Sequence, residues 1–453
     1  MNTIKSSGVW FDQHISTGSG TSTSFPGIHA SALPLDHGYA GLDKNHESLA
    51  ERLQQSGVQT LGITAQTSCS SLYNYDRGFD TFRDWVDEEG LNETGQPSMS
   101  AQIKDRTADV VESLPGVSTV AYKVIQKYRE KNPPPCPYKQ ASEITAESLS
   151  LVDEHIDPAE DYFIWVHYME PHQPYYPPQD CIDTFHDGEF DVGRIYRTVR
   201  DVKKSRPEIS NGTMKDAISS SEREAISEFY AAATRYADRE AKRLVNGFES
   251  RGLLDDTTLI VTADHGEELF DHGDFGHPPK LYDELIRVPL LVDDRSGRLP
   301  GSMDIDAVTS HLDLAPTIVD LFGIDASPNW RGRSFRPQLS NNGSFDHGDR
   351  AIAELCHTSG LGGSVETDKI IAAVRTAEWK YIENRQLNTE ELYRLSTDPA
   401  EMENVIDEFP QQATDLRTTL ESRLSEVTEE RKSVEINEAA KRRLEKLGYK
   451  EKD

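Results

Sequence analysis

A short apolar run at residues 257–263 (TTLIVTA) is followed at once by Asp264, His265 and Gly266. Its length and its β-branched residues predict a buried strand. Open α/β sheets bind ligands at the carboxyl ends of their strands, so this strand would present a carboxylate and an imidazole at that edge. Oxygen and nitrogen donors side by side suit Zn²⁺, Mn²⁺ or, less well because of the imidazole, Ca²⁺. The pattern therefore predicts one divalent metal ion at Asp264 and His265.

Strand-like runs alternate with helical patterns through most of the chain. Strands are predicted at residues 58–64, 162–168, 257–263 and 287–292, and helices at 47–55, 222–251 and 312–322. This alternation predicts an α/β fold with a central, mostly parallel sheet and helices on both faces. The polar residues at about 180–220 are interpreted as a surface insertion.

A polar, glycine-containing stretch at residues 337–350 predicts a link between two domains. Beyond it, short antiparallel strands are predicted at 370–375, 379–382 and 391–395, followed by a charged helix at 411–427. We therefore expect a main domain at 1–336 and a small α+β subdomain at 337–453.

The charge balance is strongly acidic, with 78 Asp and Glu against 48 Lys and Arg and a net charge of −30. Nucleic acids and anionic membranes both require a basic face, so neither is an expected partner. Because the acidic residues are spread along the whole chain, a surface adapted to high salt is the favoured interpretation.

The four cysteines are far apart and have no CxxC spacing, which is not the pattern of a disulfide framework or a zinc ribbon. No apolar run reaches the ~18 residues of a membrane span, and the N-terminal residues lack the apolar stretch of a signal peptide. The sequence as given predicts a cytoplasmic protein and leaves its oligomeric state open.

Residues 16–31 (STGSGTSTSFPGIHAS) form a run of glycines and hydroxyls. A turn of this kind exposes backbone N–H groups and can present a hydroxyl at a helix N-terminus, where it binds anions and serves as a nucleophile. A flexible linker is the alternative, but the apolar residues of FPGI favour order.

Two further segments carry histidines. In HYMEPHQPY, His172 lies on the turn after a predicted strand, where a near-neutral pKa suits proton donation to a leaving oxygen, whereas His167 is expected in the core. In GHPPKLYDE, His277 and Lys280 follow the metal pair closely and carry the charge that an oxyanion requires.

In their order and spacing, four pieces of the chain resemble the sulfatase family of the alkaline phosphatase superfamily. They are GSGTSTSFPGI, WVHYMEPHQPY, GLLDDTTLIVTADHGEEL with GHPPKLYDELIRVPLL, and SHLDLAPTIVDLFGI with GRSF. AVRTAEWKYI and LYRLSTDPAEMENV resemble that family's C-terminal subdomain. The resemblance implies an alkaline phosphatase-like fold and metal-dependent hydrolysis of a small-molecule or glycan sulfate or phosphate ester through a covalent intermediate.

The resemblance also implies roles for individual residues. Thr21 matches the nucleophile, and Asp264 with His265 matches the second half of the metal site. His172 matches the histidine at the leaving oxygen, and His277 or Lys280 the basic group near the oxyanion.

The chain departs from the family pattern at its beginning. Family members begin with a strand ending in paired acids that supply the other metal ligands, whereas no such pair precedes Thr21 here. Two explanations stay open: a start codon assigned too late, or a truncated, non-catalytic relative that only binds a ligand or partner.

The nucleophile departs as well, because arylsulfatases convert a Cys or Ser to an aldehyde and threonine cannot undergo that conversion. A direct Thr21 alkoxide, as in the superfamily's phosphodiesterases and phosphoglycerol transferases, is the alternative chemistry, with Ser22 and Ser24 as weaker candidates.

Overall fold

A computed structural model describes residues 8–36, 41–43, 45–85, 136, 138–185, 198, 214–297, 299, 301–336, 349–356 and 365–427. Its strands are β1 Val9–Ile15, β2 Gln59–Thr64, β3 Thr81–Arg83, β4 Tyr162–His167, β5 Thr258–Thr262, β6 Glu268–Leu269, β7 Phe275–Gly276, β8 Arg287–Asp294, β9 Met303–Ile305, β10 Thr309–Ser310, β11 Ala351–Cys356, β12 Ile370–Arg375, β13 Trp379–Asn384 and β14 Thr389–Arg394. Its α-helices are α1 Thr21–Ala30, α2 Leu49–Gln55, α3 Ala141–His155, α4 Gln179–Ile182, α5 Ser220–Glu249, α6 Asp283–Ile286, α7 Leu314–Leu321 and α8 Pro410–Leu424.

Two sheets form the centre of the larger part. The first has the order β10-β1-β8-β5, with β9 also paired to β1, and the second has the order β3-β2-β4. β1 runs parallel to β9 and β10, and β2 runs parallel to β3 and β4, whereas β8 is antiparallel to both β1 and β5. The predicted mostly parallel arrangement therefore holds, with β8 as the reversed strand.

Strands β4 and β5 each end a sheet. Within the described residues they are not paired with each other, and every residue of both strands is only half-buried. Their starts are nevertheless close, because the Tyr162 hydroxyl lies 2.6 Å from Thr257 Oγ1. Their carboxyl ends thus lie at the same side of the molecule.

Helices cover the sheets on both faces. α5 begins at a capping box formed by Ser219 and Glu222, and its apolar residues recur at helical spacing. Leu244 and Val245 of α5 pack with Val152 of α3 against one face of β4. On the other face, the partly buried Phe163 of β4 packs with Val319 of α7 and the residues around it. This is the layered packing that the alternating pattern predicts.

The four-stranded antiparallel sheet β11-β12-β13-β14 follows, with α8 packed on β12 and β13. It is tied to the larger part by the Leu35 N–H, which donates to Glu354 of β11 at 2.9 Å, and by Asp36, which lies 3.1 Å from Arg423 of α8. Arg423 also donates to Glu354 at 2.7 Å, so the buried carboxylate and guanidinium form an ion pair at this contact. The division at residues 336 and 337 stays a prediction.

Most predicted elements are confirmed, including α2, β2, β4, α5, β5, β8, α7, β12, β13, β14 and α8. The sequence analysis missed β1, α3 and β11, which have weak or mixed patterns. Most of the predicted insertion at 180–220, and the C-terminal tail after residue 427, lie outside the described residues. Within the described part, no helix has the length and apolar character that a membrane span requires.

Candidate active site

The glycine-rich turn after β1 meets the end of β5. The Ser16 hydroxyl donates to the carbonyl oxygen of Asp264 at 2.7 Å, which joins the two segments. α1 begins at Thr21, which is only 6% exposed. The Thr21 hydroxyl donates to Asp264 Oδ2 at 3.0 Å. The hydroxyl at the N-terminus of α1 and the carboxylate at the end of β5 are therefore in direct contact.

Close backbone approaches require glycine at two points in these turns. A Cβ atom at Gly18 would lie 2.3 Å from Thr23 Oγ1, and one at Gly266 would lie 2.0 Å from the carbonyl oxygen of Glu284. The Gly266 N–H instead donates to the Leu285 carbonyl at 2.8 Å. Glycine thus allows the tight turn before Thr21 and the tight turn after Asp264 and His265.

The carboxylate of Asp264 is held in its ionised form. Burial alone would raise its pKa, but the charges of His265 and His167, with hydrogen bonds from Thr21 and the His265 N–H, lower the pKa below its usual range. Ring atom Nδ1 of His265 lies 2.7 Å from the Gly266 carbonyl, which leaves Nε2 on the side of Asp264, 3.6 Å from its Oδ2. An anionic oxygen and an imidazole nitrogen therefore converge there.

Glu267 and His277 lie close to His265. His265, Glu267 and His277 each offer one ligand atom, and the three atoms lie within 4.8 Å of one another. With the imidazole of His265 and the carboxylates of Asp264 and Glu267, the donor set suits Zn²⁺ or Mn²⁺ better than Ca²⁺. The residues present thus fit a divalent transition metal.

His172 lies opposite, on the turn after β4. Its ring centroid is 5.2 Å from that of His277, and the His277 centroid is 4.8 Å from that of His265. His277 also approaches α1, because a Cβ atom at Gly20 would lie 3.9 Å from its Cδ2. The three histidines thus line one side of a site that has Thr21 on the other.

Lys280 is engaged differently from His277. Its ammonium group lies 3.0 Å from Glu268 Oε2 and 2.8 Å from Asp274 Oδ2, and it donates to the His272 carbonyl at 3.0 Å. Two buried carboxylates therefore neutralise Lys280, which favours His277 over Lys280 as the basic group near a bound oxyanion.

Two other histidines lie beside the site. His167 contacts Thr64 Oγ1 at 3.1 Å and packs edge-on against Phe25, and burial lowers its pKa. Burial also lowers the pKa of His311 to about 4, and its Nε2 contacts the Ala263 carbonyl at 3.1 Å. His311 thus supports the residue that follows β5, and His167 packs against β2 and α1. The sequence analysis overlooked His311 and Glu267, although Glu267 lies within the motif after Asp264.

Two family profiles match this chain. The family profile described as Sulfatase matches residues 1–324, and one described as N-sulphoglucosamine sulphohydrolase, C-terminal, matches residues 271–430. The chain belongs to the sulfatase family.

Arylsulfatase K of Mus musculus is 29% identical over 191 residues, 41% of this sulfatase-family chain and 33% of that protein. N-acetylglucosamine-6-O-sulfatase of Bacteroides thetaiotaomicron is 29% identical over 177 residues, 39% of the chain and 31% of that protein. These matches span about a third of the curated relatives.

Solved structures show the same fold. A protein solved in complex with its substrate D-glucosamine-2-N,6-O-disulfate has a TM-score of 0.65 at 17% identity, covering 94% of this chain and 92% of that one. The phosphonate monoester hydrolase of Agrobacterium radiobacter has a TM-score of 0.67 at 18% identity, covering 94% and 90%. The predicted alkaline phosphatase-like α/β fold is confirmed.

Proposed function

We propose that this sulfatase-family protein is a metal-dependent hydrolase that cleaves a sulfate or phosphate ester through a covalent intermediate on Thr21. The observation that carries the proposal is the 3.0 Å hydrogen bond from the Thr21 hydroxyl to Asp264. A nucleophile needs an acceptor for its proton within hydrogen-bond reach, and Asp264 fulfils that condition.

Asp264 and His265 are the proposed metal ligands, with Glu267 beside them. A divalent ion at these residues supplies Lewis-acid stabilisation of the charge on the ester oxygens. The carboxylate of Asp264 is ionised, as metal binding requires, and the His265 ring has its Nδ1 atom at the Gly266 carbonyl and its Nε2 atom toward Asp264.

The first step forms a bond from Thr21 Oγ1 to the sulfur or phosphorus atom. The hydroxyl proton leaves along the hydrogen bond to Asp264. Thr21 is the first residue of α1, and the partial positive charge of the helix N-terminus stabilises the developing alkoxide. The bond to the leaving ester oxygen then breaks with its electron pair.

Protonated His172 gives a proton to that leaving oxygen, as a histidine across the site is placed to do. His277, between His172 and His265, faces the oxyanion. Water then attacks the sulfur or phosphorus atom and gives one proton to His172. The bond to Thr21 Oγ1 breaks with its electron pair, and this oxygen takes back the proton held by Asp264. Thr21, Asp264 and His172 thus return to their starting protonation states, and atoms and charge balance over the cycle.

A sulfated or phosphorylated sugar or glycan is the proposed substrate. The names of two similar proteins support this class, since one is an N-acetylglucosamine-6-O-sulfatase and another was solved with a disulfated glucosamine.

Hydrolysis of p-nitrophenyl sulfate and bis-p-nitrophenyl phosphate, each with added Zn²⁺, Mn²⁺ or Ca²⁺, tests the proposal. Thr21→Ala should lose activity on the preferred ester by roughly 10⁴-fold or more, as expected for loss of a nucleophile. Ser22→Ala is the matched control, because it removes the neighbouring hydroxyl. Full activity of Thr21→Ala would remove Thr21 from the mechanism. A preference for the phosphodiester would favour chemistry like that of phosphodiesterases and phosphoglycerol transferases.

The second candidate is a protein that binds a ligand or partner without turnover. The unpaired edges of β4 and β5 beside the site favour it, because within the described residues no strand joins them. Metal analysis separates the two candidates. Purified protein without stoichiometric metal, and without activity after any of the three ions is added, would support the second.

A further inference from the structure

We propose that Tyr138 and Glu170 are positioning residues that hold the His172 turn in its working orientation. The inference rests on the proposed role of His172 as the proton donor to the leaving oxygen. Neither residue belongs to the proposed metal or nucleophile groups, and both are buried, at 6% and 5% exposure.

Tyr138 contacts the backbone of the turn that carries His172. Its hydroxyl lies 3.1 Å from the carbonyl oxygen of His172 and 2.8 Å from that of Pro174. One phenol therefore contacts the backbone on both sides of Gln173, and the backbone of His172 is held directly.

Glu170 fixes the start of the same turn. Its Oε1 accepts from the Ala141 N–H at 3.0 Å, at the first residue of α3. Since α3 packs on the sheet through Ile144 and Val152, the carboxyl group ties the turn to a rigid helix.

The far side of the turn is held as well. A Cβ atom at Gly276 would lie 2.8 Å from Gln173 Nε2, and the Tyr175 hydroxyl donates to Glu267 Oε1 at 3.2 Å. The turn is thus clamped between α3 and the loop that carries His277. Loss of the Tyr138 contacts would release one side of this clamp and let the His172 ring move from the leaving oxygen.

Leaving-group dependence of kcat/KM distinguishes positioning from general stability. Proton donation matters most for poor leaving groups, so loss of the donor should affect phenyl esters far more than p-nitrophenyl esters. Tyr138→Phe should lose less than about 2-fold on the p-nitrophenyl ester and on the order of 10-fold on the phenyl ester. His172→Gln should show the same pattern with a larger loss. The double variant should be no worse than His172→Gln, because the two residues act as one unit.

Tyr162→Phe is the matched control. This variant removes a phenol hydroxyl that donates to the Leu253 carbonyl at the opposite end of β4. Its kcat/KM relative to the wild type should therefore be the same on the phenyl and p-nitrophenyl esters. Ala141→Pro is a second variant, which removes the N–H bonded to Glu170 at the first helical position, where proline is tolerated. It should show the Tyr138→Phe pattern even if Tyr138→Phe does not fold, which thermal unfolding would reveal.

Leaving-group dependence in His172→Gln but in neither Tyr138→Phe nor Ala141→Pro would overturn the positioning inference alone. A uniform loss on all esters in the positioning variants would also overturn it. If His172→Gln lost the same factor of kcat/KM on the phenyl and p-nitrophenyl esters, the proposed role of His172 would be overturned, and the positioning inference with it.

Discussion

Replacing Glu170 by glutamine should change the pH dependence of stability. Burial, with a smaller contribution from the charges of Glu143 and Glu240, raises the pKa of the Glu170 carboxyl to about 7, although a hydrogen bond from the Ala141 N–H opposes the rise. An unfolded chain has the ordinary pKa of a glutamate, near 4.5. The folded state therefore holds one more proton than the unfolded state between these two values.

The size of the effect follows from this difference. One pKa unit corresponds to about 1.4 kcal/mol, so ionising Glu170 costs the folded protein about 3 kcal/mol. The stability conferred by the protonated carboxyl is fully present below about pH 4.5 and is lost as the pH rises through about 7. In Glu170→Gln the introduced amide cannot ionise, and its oxygen can still accept from the Ala141 N–H. The variant should match the wild type at low pH and be more stable by up to about 3 kcal/mol at pH 8.

Urea unfolding followed by tryptophan fluorescence at pH 5, 6, 7 and 8 measures this difference. Glu160→Gln, on an exposed glutamate, is the control and should give no such trend. A difference that is constant across this range, or a Glu170→Gln variant that is less stable at pH 8, would refute the reasoning.

Three further outcomes are expected. Arg423→Leu should destabilise the protein by about 3–5 kcal/mol, because it leaves the Glu354 carboxyl, which is 0% exposed, without its cationic partner. Arg417→Leu, which breaks an exposed pair, should cost no more than about 1 kcal/mol in urea unfolding. Equal costs would contradict this. Gly266→Ala should lower the thermal unfolding midpoint, at a cost of about 1–3 kcal/mol, since its methyl group collides with the Glu284 carbonyl; an unchanged midpoint would show that the loop gives way freely. The unfolding midpoint should also rise between low and molar KCl, because salt screens the net charge of −30; a midpoint that stays flat or falls would argue against a salt-adapted surface.

Local patterns predicted much of the fold. Runs such as YFIWVHY and TTLIVTA are apolar, β-branched and short, so β4 and β5 could be predicted from periodicity alone. β1 (VWFDQHI) carries Asp12 and Gln13 between apolar residues, so its sequence shows neither a continuous apolar run nor a strict alternation that would predict a strand. It nevertheless pairs on both edges. Its position is set by tertiary pairing with β8, which no local pattern shows.

The same limit applies to the site. The position of Asp264 and His265 at a strand end was predictable, because strand ends are readable in sequence. The contact between Thr21 and Asp264 joins residues 243 positions apart, and only the resemblance to the sulfatase family brought them together beforehand. The neutralisation of Lys280 by Glu268 and Asp274 required the folded hairpin of β6 and β7.

Mass spectrometry of the protein quenched in acid during turnover tests the central claim most directly. With metal and the preferred ester present, the peptide that contains Thr21 should gain the mass of one sulfate or phosphate group, with fragmentation placing it on Thr21. Thr21→Ala should show no such adduct. An adduct on Ser22, Ser24 or any other residue, or turnover by Thr21→Ala at the wild-type rate, would contradict the account.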